Sequence, residues 1–258
     1  MGIKGDDPVS STTGGWRPQR GAVIVCDMWD DHHCVSAAHR VAHMAPRMNE
    51  VLAMLRARGA FIIHSPGDCV DYYAASAARL RAVDARHVDA PVRFAWNGWD
   101  PDREAALPLE ITTPGPCSCH TPEPCCTGEP RYPWTRQIEG IEISSLDAVS
   151  DDGQEVFNLL SARRIDDILV MGVHTNICVL SRPFGIRQLV YLGKRPILCR
   201  DLTDSFHRLP GAHEDGTRIV VEHIERYWCP VIRSDELVGG KPFDFSEVRV
   251  AEIGPAPP

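Results

Sequence analysis

Short apolar runs alternate along the chain with longer segments in which apolar residues recur every three or four positions. The short runs predict buried strands, and the longer segments predict helices. The predicted strands are Ala22–Cys26, Ala60–His64, Ile138–Ile143, Ile168–Val173 and Pro196–Cys199. The predicted helices are Ser36–Arg58, Tyr72–Val83, Gly153–Arg164, Thr175–Leu192 with a kink at Pro183, and Ile219–Trp228. This alternation predicts an α/β fold of three layers, α-β-α, in which helices cover both faces of a mostly parallel central sheet.

One segment interrupts the alternation. Residues 97–133 are rich in proline, glycine and cysteine, which is typical of either a large active-site loop or an insert held by a metal. We therefore predict one domain over 21–235 that carries this insert. A flexible N-terminal segment over 1–20 precedes it, and a C-terminal extension over 236–258 follows it.

Length and composition exclude several classes of protein. With 258 residues and 43% hydrophobic content, the chain is able to close a substantial core. Its longest apolar runs, such as Ile168–Val173, fall far short of the roughly 18 residues that a membrane span needs. Met1–Arg20 lacks the apolar segment of a signal peptide, so we expect a soluble, cytoplasmic protein. The net charge of −8 argues against a nucleic-acid or membrane partner.

Two features of the composition bear on chemistry. Ten cysteines in a chain without a secretion signal indicate reduced thiols, metal ligands or a nucleophile before they indicate a disulfide framework. The 27 basic residues include lysines only at positions 4, 194 and 241. No lysine therefore occurs between positions 5 and 193.

Two chemically active side chains follow predicted strands. Asp27 comes directly after the first strand, and Cys178 lies in the turn after Ile168–Val173. Ligands of parallel sheets bind at the carboxyl ends of the strands. Thr175 or Asn176 is positioned to cap the predicted helix that follows, which would place Cys178 in its first turn. The free N–H groups of that turn would stabilise a Cys178 thiolate and hold an oxyanion, which indicates that Cys178 is a nucleophile. The alternative is a buried, inert cysteine beside an acid that only caps a turn.

These residues stand in two motifs that resemble those of a known family. Residues 23–31, Val-Ile-Val-Cys-Asp-Met-Trp-Asp-Asp, are similar to the first strand of the isochorismatase-like cysteine hydrolases. Residues 170–179, Val-Met-Gly-Val-His-Thr-Asn-Ile-Cys-Val, are similar to their nucleophile turn. The family includes nicotinamidases, N-carbamoylsarcosine amidases, biuret hydrolases and isochorismatases. The resemblance extends from Gly21 to Trp228 and implies the isochorismatase-like form of the three-layer fold.

The resemblance implies a role for several residues of the motifs. Asp27 would be the general base, Cys178 would form an acyl intermediate, and the backbone N–H groups of His174 and Cys178 would form the oxyanion hole. The peptide bond between Val173 and His174 would be cis. The family's triad also contains a lysine, which the resemblance would place near Ile143, inside the stretch that has none.

The missing lysine is the main departure from the family. Arg136, just upstream of where the lysine would lie, is the cation that we expect at the site. An arginine would hold a thiolate or a carboxylate but would not exchange protons. We expect Trp29 and Trp134 to form apolar walls for the substrate and Arg182 to clamp a substrate carboxylate. The alternative for Arg136 is a surface residue that anchors a loop.

Two sets of residues are candidates for metal binding. The resemblance to nicotinamidases suggests a divalent metal. The candidate ligands for it are His64, Asp68 and His87, which alternatively serve as caps and surface polar groups. The insert separately carries four residues suited to a structural zinc, Cys117, Cys119, His120 and Cys125. Disulfides or free thiols fit that spacing equally well, so we expect no required cofactor and keep zinc as an open alternative.

Together these features predict a hydrolase, an enzyme that acts on carbon–nitrogen bonds other than peptide bonds. Cys178 would attack an amide, ureido or carbamoyl carbon of a small polar substrate, with Asp27 as general base. One alternative is an isochorismate-type vinyl-ether hydrolase, which uses the acid and not the thiol. Another is an inactive scaffold or ligand-binding member of the same fold, which the missing lysine favours. The expected partners are a small-molecule substrate and further copies of the chain, in a dimer or tetramer.

Overall fold

The computed structural model describes residues 16–96, 98–109, 132–207 and 213–245. The strands are β1 (Gly21–Cys26), β2 (Phe61–Ser65), β3 (Ala148–Val149), β4 (Asp167–Val173), β5 (Arg195–Asp204) and β6 (Val231–Ile232). The α-helices are α1 (Val35–Ala57), α2 (Ala77–Val83), α3 (Gly153–Ala162), α4 (Ile186–Tyr191), α5 (His213–Tyr227) and α6 (Ser234–Val238). The shorter helical turns are Pro18–Arg20 and Val70–Tyr73, both 3-10, and Thr175–Val179, which is π-helical.

The described strands form one sheet in the order β3-β2-β1-β4-β5-β6, with parallel pairing between all neighbours. The chain first extends the sheet on one side of β1 and then, from β4 onward, on the other. The carboxyl ends of β1 and β4 therefore meet at a switch point, where open parallel sheets form their ligand crevice. The predicted α/β fold with a parallel sheet is confirmed.

Helices cover both faces of the sheet. Successive residues of β1 point to opposite faces, so they pack against different helices. Ala22 and Ile24 pack with residues of α3, α4 and α5, whereas Val23 and Val25 pack with residues of α1 and α6. Every residue of β1 is buried, which is why its sequence is a continuous apolar run. The predicted three-layer α-β-α arrangement is confirmed by these two apolar layers.

Three of the predicted elements differ from the structure, and two of them precede α3. The predicted strand Ile138–Ile143 is wrong, because the Ile141 N–H bonds to the Ile138 carbonyl at 3.2 Å and closes a turn. The strand that extends the sheet beyond β2 is the two-residue β3, which is too short to show a periodicity. The predicted helix Tyr72–Val83 is split into a 3-10 turn and α2, which begins after Ser76 because that side chain caps it.

The predicted helix Thr175–Leu192 is interrupted at Pro183 and is not merely kinked. The π-helical turn comes first, a tight turn follows in which the Gly185 N–H bonds to the Arg182 carbonyl at 2.7 Å, and α4 begins at Ile186. Proline has no N–H to continue the helical hydrogen bonds. The interruption leaves Arg182 at the end of the segment that starts with the π-helical turn.

Several predictions lie outside the described residues. Most of the insert belongs to this part of the chain, including the candidate zinc ligands Cys117, Cys119, His120 and Cys125. The division into terminal segments and one domain stays a prediction as well. Among the described residues, no helix combines the length and the apolar character that crossing a membrane requires.

A buried carboxylate connects the described part of the insert to the helical layer. Glu104 pairs with Arg187 (Nε–Oε1 2.6 Å), and the Trp228 indole N–H donates to its Oε2 at 2.8 Å. The Nε2 atom of His223 lies 2.8 Å from the same oxygen. Burial alone would raise the pKa of Glu104, but its partners, led by Arg187, lower the pKa below the ordinary value. The Arg187 Nη1 also donates to the Oγ of Ser181 at 3.1 Å. Ser181 lies two residues before Pro183, where the helix is interrupted.

Replacing Glu104 with glutamine should destabilise the fold by about 3–5 kcal/mol, because a buried guanidinium then loses its counter-charge. Urea titration measures this free energy of unfolding. The matched control is Glu50→Gln, whose exposed pair with Arg47 is worth about 0–1 kcal/mol. Because the pKa of folded Glu104 is lowered, its contribution is present at neutral pH and disappears as the pH falls through that lowered value. Equal stability of the two variants at neutral pH would contradict this role.

Candidate active site

Asp27 follows β1 directly, and its side chain is completely buried. Its φ of 48° lies in the left-handed region, a conformation that costs of order 1–3 kcal/mol and persists only when neighbours hold it. The Gly67 N–H donates to Oδ1 at 2.6 Å, and the Arg182 Nε–H donates to Oδ2 at 3.0 Å. The thiols of Cys26 and Cys178 lie close enough to this carboxylate to interact with its charge. An amide and a guanidinium therefore hold Asp27 in place.

Cys178 reaches this carboxylate from the neighbouring strand. β4 ends at Val173, the Val173–His174 peptide bond is cis, and the π-helical turn then places the thiol within hydrogen-bond reach of Asp27. The backbone N–H of His174 acts on the Cys178 thiol and lowers its pKa, against the larger effect of burial. The structure thus brings together the acid, the thiol and the amide that the two sequence motifs predicted.

The cation at this site is Arg182. It lies about one helical turn after Cys178, and its side chain is 13% exposed. Besides its hydrogen bond to Asp27, its Nη2 lies 3.4 Å from an oxygen of Asp68, and its guanidinium lies over the ring of Trp96 at 4.8 Å. Sequence reasoning assigned Arg182 to the substrate, whereas the structure places it directly on the acid.

Gly67, in the loop after β2, permits the close approach of Asp27 and Arg182. A Cβ atom at this position would lie 2.1 Å from the Arg182 Nη2 and 2.7 Å from the Asp27 Oδ1. A side chain at this position would therefore have to displace the Arg182 guanidinium. The carbonyl of Gly67 accepts a hydrogen bond from the Trp29 indole at 2.9 Å. Sequence reasoning did not find Gly67, since nothing in the local pattern distinguishes it from an ordinary loop glycine.

Arg136, the predicted cation of the site, contacts neither Asp27 nor Cys178. Its Nη2 pairs with Glu139 at 2.6 Å, and its Nη1 donates to the Tyr72 hydroxyl at 3.3 Å. Its position is set by its backbone N–H, which donates to Asp30 at 3.2 Å. Nearness in sequence to the expected lysine therefore did not place the guanidinium at the acid.

The two tryptophans predicted as substrate walls lie together. The rings of Trp29 and Trp134 stack with centroids 4.3 Å apart and planes 12° apart. Trp29 is buried and Trp134 is partly buried, and the ring of His32 lies 5.6 Å from that of Trp134. This aromatic group adjoins Asp27, since Trp29 and Asp27 both bond to Gly67.

Burial controls the protonation of the acid and the thiol. It raises the pKa of Asp27 above its ordinary value, although Arg182 and the hydrogen bonds act in the opposite direction. It also raises the pKa of the Cys178 thiol well above its ordinary value, and the negative charge of Asp27 adds to this effect. The resting thiol is therefore neutral, in contrast to the stabilised thiolate expected from the helix N-terminus. Since the thiol keeps its proton beside the carboxylate, the two groups hold one proton between them when Asp27 is ionised, next to the fixed charge of Arg182.

The structure does not assemble the predicted divalent-metal ligands. His64 is completely buried, and its ring nitrogens contact Gln137 Oε1 at 2.9 Å and Asp147 Oδ2 at 3.1 Å. Asp68 and His87 are exposed and pair with other charged residues. Across the described ranges, no three His, Cys, Asp or Glu side chains are placed to hold a metal together. His64 instead links β2 to the segment before β3.

A buried polar cluster surrounds His174, at the start of the turn that carries Cys178. His174 Nε2 lies 3.3 Å from His32 Nε2, and His32 Nδ1 accepts the Cys34 N–H at 3.0 Å. Burial lowers the pKa of His174 to about 4 and that of His32 to about 2, so both rings are neutral near pH 7. Asp204, the last residue of β5, pairs with Arg40 at 2.8 Å beside them. Asp27 was selected because it lies at the carboxyl end of a predicted strand. Asp204 would have been selected in the same way if the predicted strand Pro196–Cys199 had extended over the full length of β5.

Comparison with known proteins identifies solved structures that share this fold. No protein-family model matches the chain, and no match is found among curated proteins. A cysteine hydrolase from Pseudomonas syringae pv. phaseolicola 1448A superposes with a TM-score of 0.51 at 19% identity, covering 86% of this chain and 92% of that chain. An isochorismatase from Pseudomonas putida KT2440 gives a TM-score of 0.50 at 14% identity, covering 86% of this chain and 92% of that chain. The chain has the isochorismatase-like hydrolase fold.

Removing the charge of Asp27 should make Cys178 more reactive towards iodoacetamide. In Asp27→Asn the negative charge that raises the thiol pKa is gone, while the Arg182 charge that lowers it remains. Each unit by which this pKa falls raises the thiolate fraction about tenfold at a pH below it. Mass spectrometry of the Cys178 peptide after timed alkylation measures the rate, with Asp215→Asn on the surface of α5 as control. A rate in Asp27→Asn that equals or falls below the wild-type rate would contradict the shared-proton arrangement.

Proposed function

We propose that the protein is a cysteine hydrolase that cleaves a carbon–nitrogen bond of a small polar substrate. The observation that carries this proposal is the buried group of Asp27, Cys178 and Arg182 at the switch point of the sheet. A thiol that donates to a carboxylate is the arrangement required for covalent catalysis with an adjacent general base. The fixed positive charge beside them compensates the negative charge that the pair carries.

In the first half of the proposed reaction, Asp27 takes the proton of Cys178 while the sulfur attacks an amide, ureido or carbamoyl carbon. The carbonyl electron pair moves to oxygen, and the backbone N–H groups of His174 and Cys178 hold this oxyanion. The carbon–nitrogen bond then breaks, and Asp27 returns the proton to the departing nitrogen. Ammonia or an amine leaves, and the acyl group stays on the sulfur.

In the second half, water attacks the acyl carbon and gives a proton to Asp27. The carbon–sulfur bond breaks, the proton passes to the sulfur, and the acid product leaves. The raised pKa of Asp27 suits this role, because a base whose pKa is closer to that of its proton donor accepts the proton at a smaller cost.

Arg182 performs the electrostatic part of the role that the family assigns to lysine. A guanidinium stays protonated, so it stabilises whichever of Asp27 and Cys178 carries the negative charge and takes no part in proton transfer. Its Nε–H is committed to Asp27, and its Nη groups are the proposed donors to a substrate oxygen. Trp29 and Trp134 form the proposed apolar wall.

Hydrolysis of a vinyl ether is a second candidate, and the raised pKa of Asp27 is the observation that favours it. In that chemistry Asp27 donates a proton to the substrate and Cys178 is not required. Neither scheme needs a metal or an organic cofactor. Structural zinc in the insert, a cytoplasmic location and assembly into a dimer or tetramer stay predictions.

The proposed function predicts ammonia release from at least one member of a panel of small amides, ureas and N-carbamoyl acids. Cys178→Ala should abolish the release, because the acyl-enzyme then has no sulfur on which to form. Cys229→Ala, which removes a buried thiol after α5, is the matched control and should retain activity. Failure of every panel member, or equal activity in Cys178→Ala, would contradict the proposal. Turnover of a vinyl ether by Cys178→Ala would establish the second candidate in its place.

A further inference from the structure

A charged cavity lies at the edge of the sheet opposite the candidate active site. Its volume is about 200 Å³, and its lining consists of Arg17, Arg20, Arg164, Asp166, Asp167 and Arg195. The strands begin at this edge, where the first residues of β1, β4 and β5 are in register. Because β1 has six residues and a strand rises about 3.3 Å per residue, the cavity is roughly 20 Å from Asp27.

Both carboxylates of the cavity are already neutralised by cations. Asp167 forms a two-point pair with Arg195, with distances of 2.6 Å (Nε–Oδ1) and 2.9 Å (Nη2–Oδ2). Asp166 pairs with the Nζ of Lys194 at 2.8 Å. Neither carboxylate is therefore the counter-charge for the other arginines of the cavity.

Three guanidiniums of this cavity have no acceptor or counter-charge among the described residues. They belong to Arg17, Arg20 and Arg164. This concentration of positive charge stands out because the chain as a whole carries a charge of −8. Like charges that face one concave surface raise each other's free energy, and a bound anion removes this repulsion.

Short turns fix these three arginines at the rim. Arg17 precedes the 3-10 turn Pro18–Arg20 and Arg20 ends it, and the Arg20 N–H bonds to the Arg17 carbonyl at 3.0 Å. Arg164 follows α3 with a φ of 54°, a conformation in which glycine is the favoured residue. An arginine at this position brings a third guanidinium to the cavity at a conformational cost.

We propose that this cavity binds a phosphate-bearing small molecule, at a site separate from the catalytic edge. Guanidinium groups match phosphate oxygens in charge and in two-point hydrogen-bond geometry. Three uncompensated positive charges match the adjacent charges of a diphosphate group. The same chemistry is offered by inorganic diphosphate and by a nucleoside diphosphate.

Calorimetric titration at constant ionic strength tests the site with inorganic phosphate, inorganic diphosphate and ADP. We expect saturable binding of diphosphate or ADP with one site per chain. Tighter binding of diphosphate supports an inorganic ligand, and tighter binding of ADP supports a nucleotide. Because the readout is binding and not turnover, it does not depend on the proposed hydrolase activity.

The informative variant is Arg164→Gly, because glycine suits the left-handed backbone and the variant should fold as well as the wild type. Its affinity for the bound anion should fall about tenfold or more, which corresponds to the loss of one charge-assisted contact. Arg218→Gln is the matched control, since this exposed arginine on α5 pairs with Asp215 and Glu222. Its affinity should be unchanged.

Three outcomes would overturn the proposal. One is the absence of saturable binding by the wild type up to roughly 10 mM anion. Another is an equal loss of affinity in Arg164→Gly and Arg218→Gln, which would indicate nonspecific attraction. The third is binding that survives in Arg164→Gly but disappears in Arg182→Gln, which would place the anion at the catalytic edge.

Discussion

A carboxylate that is completely buried, as Asp27 is, requires a counter-charge and hydrogen-bond donors in the protein itself. Without them its desolvation would cost several kcal/mol, and it would take up a proton instead. Arg182 supplies the counter-charge at 3.0 Å, and the Gly67 amide supplies a short hydrogen bond. This buried ion pair is the constraint on which the rest of the site depends, because the charges of Asp27 and Arg182 both act on the neighbouring Cys178 thiol.

The fold creates this site from segments that are distant in sequence. Parallel pairing of β1 with β2 and with β4 places the loops that carry Asp27, Gly67 and Cys178 at one edge. The interruption of the following helix at Pro183 ends the segment that carries Arg182. The Glu104–Arg187 pair then holds the next helix in position. The opposite edge of the same strands gathers three arginines that form no ion pair with any residue in the described ranges, so the two ends of the sheet present different chemistry.

The fold could be predicted from the sequence because buried parallel strands leave continuous apolar runs and amphipathic helices leave a periodic pattern. The ends of such strands follow from the same signals, which is why Asp27, directly after β1, and Cys178, in the turn after β4, were found. Arg182 was predicted to bind the substrate, and its position on Asp27 was missed, because this contact depends on a long-range approach that a small loop residue, Gly67, makes possible. Arg136 was chosen for its nearness in sequence to the expected lysine, and that nearness says nothing about the direction of a side chain. Two-residue strands such as β3 and β6 are too short to leave any pattern.

The central claim is that Arg182 provides the positive charge that lets Asp27 and Cys178 share one proton. The pH dependence of Cys178 alkylation tests it most directly, in wild type, Arg182→Gln and Arg136→Gln. The Arg182 charge lowers the thiol pKa, so its removal should move the midpoint of the profile to higher pH. Arg136→Gln should leave the midpoint unchanged. A midpoint in Arg182→Gln that equals that of the wild type, or an equal shift in both variants, would contradict the account.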